Sequence, residues 1–378
     1  VTSMMLIGAA GVAVAQQSDA SMQNQLDAMK AQMAQMQATM NSNTGETKLP
    51  SDNWFNRISV SGLVNVDGNI ANKSPVTFGA NNNTQTVSSV AIPNANIFID
   101  ANVSDWTKAH VGLVYGQDMS DYNLLRAGAF TSSQRDSDSG LNVDEAYVNI
   151  GNFAKSPFYL KAGQQYLPFG SYNPYDSLTP SLTQVLSQVN DVAGTVGFVA
   201  PKGFNGSVFA LSGMNKASGN TPGTTDNANT VRNFGASLGF ANTVRDVQYN
   251  LGVQYLRNMA DVTGVRYSLG YTNDDQYTAP VSALAANAGV KFKALDASAK
   301  YVGAMNSFNQ ADVAYTNDGG VTNSGARPAA WGIDAGYSFP ILNHDSRFGL
   351  GYQGSYQSAN LDLPSYNDGA DFGHMAQK

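Results

Sequence analysis

Residues 285–303 read Ala285-Ala286-Asn287-Ala288-Gly289-Val290-Lys291-Phe292-Lys293-Ala294-Leu295-Asp296-Ala297-Ser298-Ala299-Lys300-Tyr301-Val302-Gly303. Ala288, Val290 and Phe292 alternate with Lys291 and Lys293; after a short turn, Ala297, Ala299 and Tyr301 alternate with Ser298 and Lys300. A β-strand sends successive side chains to opposite faces, so each segment has one apolar and one charged face. The same parity recurs at Ile97, Ile99, Ala101 and Val103 against Asp100 and Asn102, and at Val247, Tyr249, Leu251, Val253 and Tyr255 against Gln248, Asn250 and Gln254.

A soluble β-sandwich shares this local pattern. Strands of about ten residues, long and short connections in alternation, and Tyr and Phe at strand ends point instead to an all-β fold, a transmembrane antiparallel β-barrel. The pattern predicts strands near 58–70, 95–104, 107–116, 143–151, 158–166, 192–200, 205–213, 232–241, 246–256, 285–293, 296–304, 330–339 and 346–357. Polar stretches at 71–94, 117–142, 167–191, 214–231, 257–284 and 305–329 are long, whereas 105–106, 152–157, 201–204, 242–245, 294–295 and 340–345 are short. Long connections lie outside and short turns in the periplasm in such barrels. Val265, Tyr267, Leu269 and Tyr271 also alternate, but a strand there breaks the rhythm, so the segment is assigned to an excursion of the fifth long loop.

The chain has 378 residues, 37 Gly, 18 Tyr, 17 Phe, 3 His, no Cys and a formal net charge of −7. Absence of Cys excludes disulfides and thiolate metal sites, and the acidic balance speaks against a nucleic-acid partner. No run of about eighteen apolar residues offers a transmembrane helix. The expected setting is the Gram-negative outer membrane, with the lipid bilayer and lipopolysaccharide as surroundings.

The amino terminus reads as an export signal. Met4 to Ala15 is a short apolar stretch ending in Ala13-Val14-Ala15, a small-residue cleavage pattern, without a charged region before it. Residues 1–15 are therefore assigned to a signal peptide with a truncated start. Met22, Leu26, Met29, Met33, Met36 and Met40 follow at alternating spacings of four and three, a heptad seam. Residues 16–53 are read as a short periplasmic coiled-coil helix and linker, serving either oligomerisation or tethering, and residues 54–378 as the barrel. About thirteen strands are visible; even strand numbers are the bacterial rule, so about sixteen are expected when complete, with the last strands missing here. About forty residues between signal and barrel leave no room for the folded plug of a 22-stranded transporter.

One stretch carries a family resemblance. Asp144-Glu145-Ala146-Tyr147-Val148-Asn149-Ile150-Gly151-Asn152, followed by Ser156-Pro157-Phe158-Tyr159-Leu160-Lys161-Ala162-Gly163-Gln164-Gln165-Tyr166-Leu167-Pro168-Phe169-Gly170, resembles the fourth and fifth strands of the LbtU-type siderophore porins of Legionella and related intracellular bacteria. The order of signal peptide, Met/Gln-rich helix and Ile58-Ser59-Val60-Ser61-Gly62 is similar too. The resemblance implies an outer-membrane channel for uptake of an iron-siderophore without a plug domain. It carries no ligand-binding residue, and the short carboxy terminus departs from the family pattern.

With apolar side chains toward lipid, the strand-body charges expected on the lumen face are Asp67, Asp100, Glu145 and Asp334 against Lys108, Lys161, Lys291, Lys293, Lys300 and Arg347. A Lys or Arg on the lipid face costs roughly 2–4 kcal/mol at the midplane, so their common parity supports the assignment. The excess of bases suggests mild anion preference; ion pairing that merely braces the lumen, for instance Glu145 with Lys161, is the competing reading. The loop 167–191 is the expected constriction, carrying Phe169, Tyr172 and Tyr175 and then Leu178, Leu182, Val185, Leu186 and Val189 at the spacing of a short amphipathic helix. Packing against another subunit of a homo-oligomer is the alternative.

His110 points inward by parity, His344 falls in a turn and His374 in the tail, none beside a nucleophile motif, so no catalytic residue is assigned. No cofactor and no metal site is expected; Asn317-Asp318-Gly319-Gly320 reads as a turn, with weak calcium binding the minor alternative. Three functions stay open: a channel for an iron-siderophore or similar anionic solute, a general or sugar-selective porin, and a structural or adhesive barrel.

Overall fold

The computed structural model describes residues 57–64, 67–74, 85–91, 94–116, 140–171, 181–217, 231–273, 276–317, 320–341, 344–358 and 361. The signal peptide expected at 1–15, the helix and linker expected at 16–53, Tyr172, Tyr175 and the tail from 362 lie outside the described residues. Among the described residues no helix is long and apolar enough to cross a membrane, which says nothing of a crossing by strands.

Thirteen strands form one antiparallel sheet: β1 (Ile58–Val64), β2 (Asn94–Asn102), β3 (Thr107–Gly116), β4 (Gly140–Gly151), β5 (Phe158–Tyr166), β6 (Asn190–Val199), β7 (Phe204–Leu211), β8 (Asn233–Val244), β9 (Val247–Leu256), β10 (Ala283–Phe292), β11 (Leu295–Ala304), β12 (Ala329–Ile341) and β13 (His344–Tyr356). Each pairs with the next in chain order, and β1 and β13 are the edges. A meander of neighbours is the topology of an up-and-down barrel wall. All thirteen expected strands are present, with ends shifted by a few residues.

Two faces separate along every strand. On β9, Leu251 and Val253 are more than half exposed while Gln254 is 7% exposed; on β12, Ile333 is 54% exposed and Asp334 9%. Exposed Val, Leu, Ile and Phe thus line one face, and polar groups with Gly line the other. For a soluble protein such an apolar surface would be an aggregation liability; for a barrel it is the lipid belt. Tight turns join strands at one end, as at Arg245 and Lys293, both with positive φ.

Three expectations need correction. The first wall strand stops at Val64, and residues 67–74 pair with 85–91 as a separate hairpin, so Asp67 is not in the wall. Lys293 sits in the β10–β11 turn at φ +53°, not in a strand body. His344 opens β13 and is paired with Ile341, not placed in a turn. The ambiguous segment forms a helix, α2 (Thr263–Asn273), after α1 (Leu182–Val185) in the preceding inward loop.

The long connections carry a second core. Leu167, Phe169, Leu186, Val189, Met214, Met259, Val262, Val265 and Leu269 are at most 2% exposed and form one cluster with inward residues at the strand ends, such as Leu211, Leu256 and Ala283. Gly264 lets α2 approach α1, since a Cβ there would meet the Val185 carbonyl oxygen at 2.5 Å.

Candidate functional site

The polar face of the sheet and the loop folded over it form the candidate channel. At the rim, a β-bulge in β4 places Asp144 as an extra residue opposite Gly112/Leu113. Bulges re-aim side chains at barrel rims. Here the Asp144 carboxylate accepts from the Tyr166 hydroxyl at 2.9 Å and from the Asn190 amide at 3.0 Å, joining the end of β5 to the start of β6. The Leu167 N–H donates to the Val189 carbonyl at 2.9 Å, closing the base of the loop between these strands.

From that base the loop reaches the far wall. Ser181 caps α1, accepting from the Gln184 N–H, and the Leu182 N–H donates 2.8 Å to the side-chain carbonyl of Gln353 on β13. Ser181 and Thr183 share a small pocket with Ser298 and Lys300 of β11 and Asp334 of β12. Leu182 is 6% exposed and Phe169 fully buried, so of the four expected constriction residues these two belong to the folded loop. The Thr263 N–H donates to the Gln188 carbonyl at 2.8 Å, so α2 braces the loop from the mouth side.

Two charge clusters line the wall. On β2–β5, His110 Nδ1 lies 2.8 Å from Asp100 and its Nε2 3.7 Å from Glu145, with the ring stacked between Phe98 and Tyr147. The Lys161 ammonium lies 3.6 Å over the Tyr147 ring, a cation–π contact, where the competing reading pairs it with Glu145. On β11–β13, Arg347 bridges Asp296 at 2.6 Å and Asp334. Asp296 was not among the expected lumen charges, although its parity with Ser298 and Lys300 marks it.

The strand bodies therefore set Asp100, Glu145, Asp191, Asp296 and Asp334 against Lys108, Lys161, Lys291, Lys300 and Arg347. The basic excess read from sequence disappears among these described strand-body charges, because Asp67 and Lys293 leave the wall and Asp191 and Asp296 join it. Among the described residues no cluster of His, Asp and Glu is arranged to hold a metal ion.

In the mouth, Asp261 is buried at 3% exposure; it accepts from the Met214 N–H and, at 2.7 Å, from the Asn233 side-chain amide. Gly213, at φ +64°, permits that approach, since its Cβ would lie 2.6 Å from the carboxylate. Burial pushes the Asp261 carboxyl up to about 6, against the pull of these donors. Burial also raises the Asp312 carboxyl, which accepts from Thr278.

A thirteen-strand meander with a lipid-type outer face, a charged inner face and an infolded loop defines an outer-membrane β-barrel. Comparison with known proteins adds relatives. The chain is 29% identical over 223 residues to a UPF0422 protein of Coxiella burnetii, covering 59% of this chain and 45% of that protein. It is 26% identical over 293 residues to the UPF0422 protein lpl2888 of Legionella pneumophila, covering 74% and 50%. The chain spans about half the length of these curated relatives. No model of a known protein family matches it. Similar solved structures include the outer-membrane channel DcaP of Acinetobacter baumannii (16% identity, TM-score 0.45, 79% of each chain). The anion-selective porin of Comamonas acidovorans is another (11% identity, TM-score 0.44, 79% of each chain).

Proposed function

We propose that this chain forms an outer-membrane channel narrowed by the loop between β5 and β6, and that it passes an iron-siderophore or a similar anionic small solute. The observation that carries the reading is the docking of Leu182 on Gln353 beside Lys300, which brings a folded segment from one side of the wall to the other. A loop held across the lumen leaves a solute to pass beside wall charges at short range, where they act most strongly. Lys300 and Lys291 on the lumen face support an anionic solute, as does the resemblance to LbtU-type siderophore porins.

The near balance of bases and acids on the wall favours a second reading, a general diffusion porin. Single-channel conductance of the full chain in a planar bilayer, with ferric siderophore added to one side, separates the two. Reversible block at micromolar siderophore is the expected result. Steady conductance without block would move the assignment to a general porin, and a channel that never opens would move it to a structural or adhesive barrel.

A further inference from the structure

On the outer face of the sheet lies a broad, open hollow of about 520 Å³. It lies across β6 to β9, at mid-strand on β6 and in the half nearest the long connections on β7, β8 and β9. Two cross-strand rows make it: Gly194–Ala210–Phe234, and Val196–Val208–Ala236. The small members leave the recess; a Cβ on Gly194 would meet nothing within 4 Å.

Just beyond the hollow, the outward rows of β8 and β9 continue into two arginines. Arg232 precedes Asn233 and Phe234, and its N–H donates to the Leu211 carbonyl at 3.2 Å. Arg257 follows Leu256; its guanidinium donates to the Arg232 carbonyl and lies 5.6 Å from the centroid of the Phe234 ring. Both are half-buried. An apolar recess at acyl-chain depth with two guanidinium groups at its outer end complements a lipid bearing phosphate at the head and hydrocarbon below it. Guanidinium–phosphate pairing is strong and geometrically specific.

From this juxtaposition we infer that the β6–β9 hollow with Arg232 and Arg257 is a binding site for the phosphorylated glycolipid of the outer leaflet, lipid A. The acyl chains fill the recess between Val196 and Phe234, and a phosphate meets the arginines. The site depends on the outer-membrane orientation with long loops outward, and not on what the channel passes.

The test uses the full chain refolded in detergent, with native mass spectrometry to count retained lipid. Bis-phosphorylated lipid A, dephosphorylated lipid A and phosphatidylethanolamine are the probes. The parent protein should retain the bis-phosphorylated form about tenfold better than the dephosphorylated one. Arg232→Gln with Arg257→Gln should remove that preference, and Arg257→Lys, which keeps the charge, should retain most of it. Gly194→Leu, whose side chain enters open space, should weaken retention of both forms of lipid A. Heat-shifted electrophoretic mobility checks that each variant is folded, and the Gly194→Leu variant keeps the test decisive if the double variant does not fold, since undiminished retention there would overturn the site. No phosphate preference in the parent, or the same preference in the folded double variant, would overturn the site. So would a Gly194→Leu variant that changes oligomeric state while retaining lipid A, which would assign the hollow to a second copy of the chain. Conductance is not read, so a failed channel assignment leaves this result standing, and the reverse also holds.

Discussion

On the outer face of β9, Leu251 is 55% exposed; in the mouth, Leu186 is fully closed among Val185, Val189 and Val265. The same residue type meets two solvents. Facing lipid, an apolar side chain gains little by contacting another, because hydrocarbon is on both sides of the exchange. In the mouth, which borders water, burying Leu, Val and Met removes apolar area from water at roughly 25 cal/mol per Å². The wall is therefore fixed by backbone pairing and by avoiding charge on its outer face, and the mouth by packing between distant segments. The pieces packed there run from Leu167 to Leu361 in sequence.

Leu186→Asp should give the largest effect. An uncompensated carboxylate in the mouth core costs several kcal/mol, enough to unseat the loop while the strand ladder persists. The expected readout is a conductance increase with unchanged heat-shifted mobility. Leu251→Arg should do the opposite. Near mid-strand on the lipid face it costs roughly 2–4 kcal/mol, lowering the folded fraction in bilayers while the molecules that insert keep the parent conductance. Exchange of the two phenotypes would break the distinction between wall and mouth.

Asp261 sharpens the same contrast, because it titrates inside the mouth and away from the wall. Its carboxyl is raised from 3.8 to about 6 by burial. The folded mouth therefore binds the proton more tightly than an opened one. The resulting stabilisation is fully present below about pH 4 and is lost as pH rises through 6, amounting to at most about 3 kcal/mol. Amide exchange of Met214, corrected for its intrinsic pH dependence, should be slower at pH 5 than at pH 7.5. Asp261→Asn should remove most of that difference, whereas amides of the β10–β11 ladder should show none. An equal pH response in ladder and mouth would place the titrating group elsewhere.

These two regions also differ in how far they could be read from sequence. Wall strands are local objects with period two, so Val247 to Tyr255 or Leu295 to Tyr301 declare their faces without reference to any neighbour. The loop's helical tendency was legible at Leu182, Val185, Leu186 and Val189, but its seat on Gln353, 171 residues away, was not. Residues 263–273 show the limit most clearly. Val265, Tyr267, Leu269 and Tyr271 alternate, yet Val262, Val265 and Leu269 also fall at helical spacing, and all three lie in the core. Two periodicities share Val265 and Leu269, and only tertiary packing chooses between them. The Asp100–His110 contact was accessible to a finer reading, since a tight turn over 103–106 sets residue 100 opposite residue 110. The approach of Glu145 depended on the bulge at Asp144, which parity alone does not reveal.

The smallest effect concerns charge, and it divides the lumen from its rim. Lys300 is half-buried in the wall beside Ser181 and Thr183 of the docked loop, whereas Lys293 occupies the exposed β10–β11 turn with its ammonium 5.3 Å over the Phe292 ring. At 0.15 M salt a charge is screened over about 8 Å, so a lysine at the turn is largely hidden from a permeating ion, while one beside the constriction is not. Lys300→Gln should therefore lower the anion-to-cation permeability ratio measured by reversal potential, and Lys293→Gln should leave it unchanged. Lys291→Gln should fall between them, since Lys291 lies on the lumen face one residue from the end of β10, opposite Asp296. Raising the salt to 1 M, where screening acts within about 3 Å, should compress the Lys291 effect before that of Lys300. If all three substitutions lower the ratio equally, selectivity is set by total charge and not by the narrowest point, and the docked loop loses its place in ion choice.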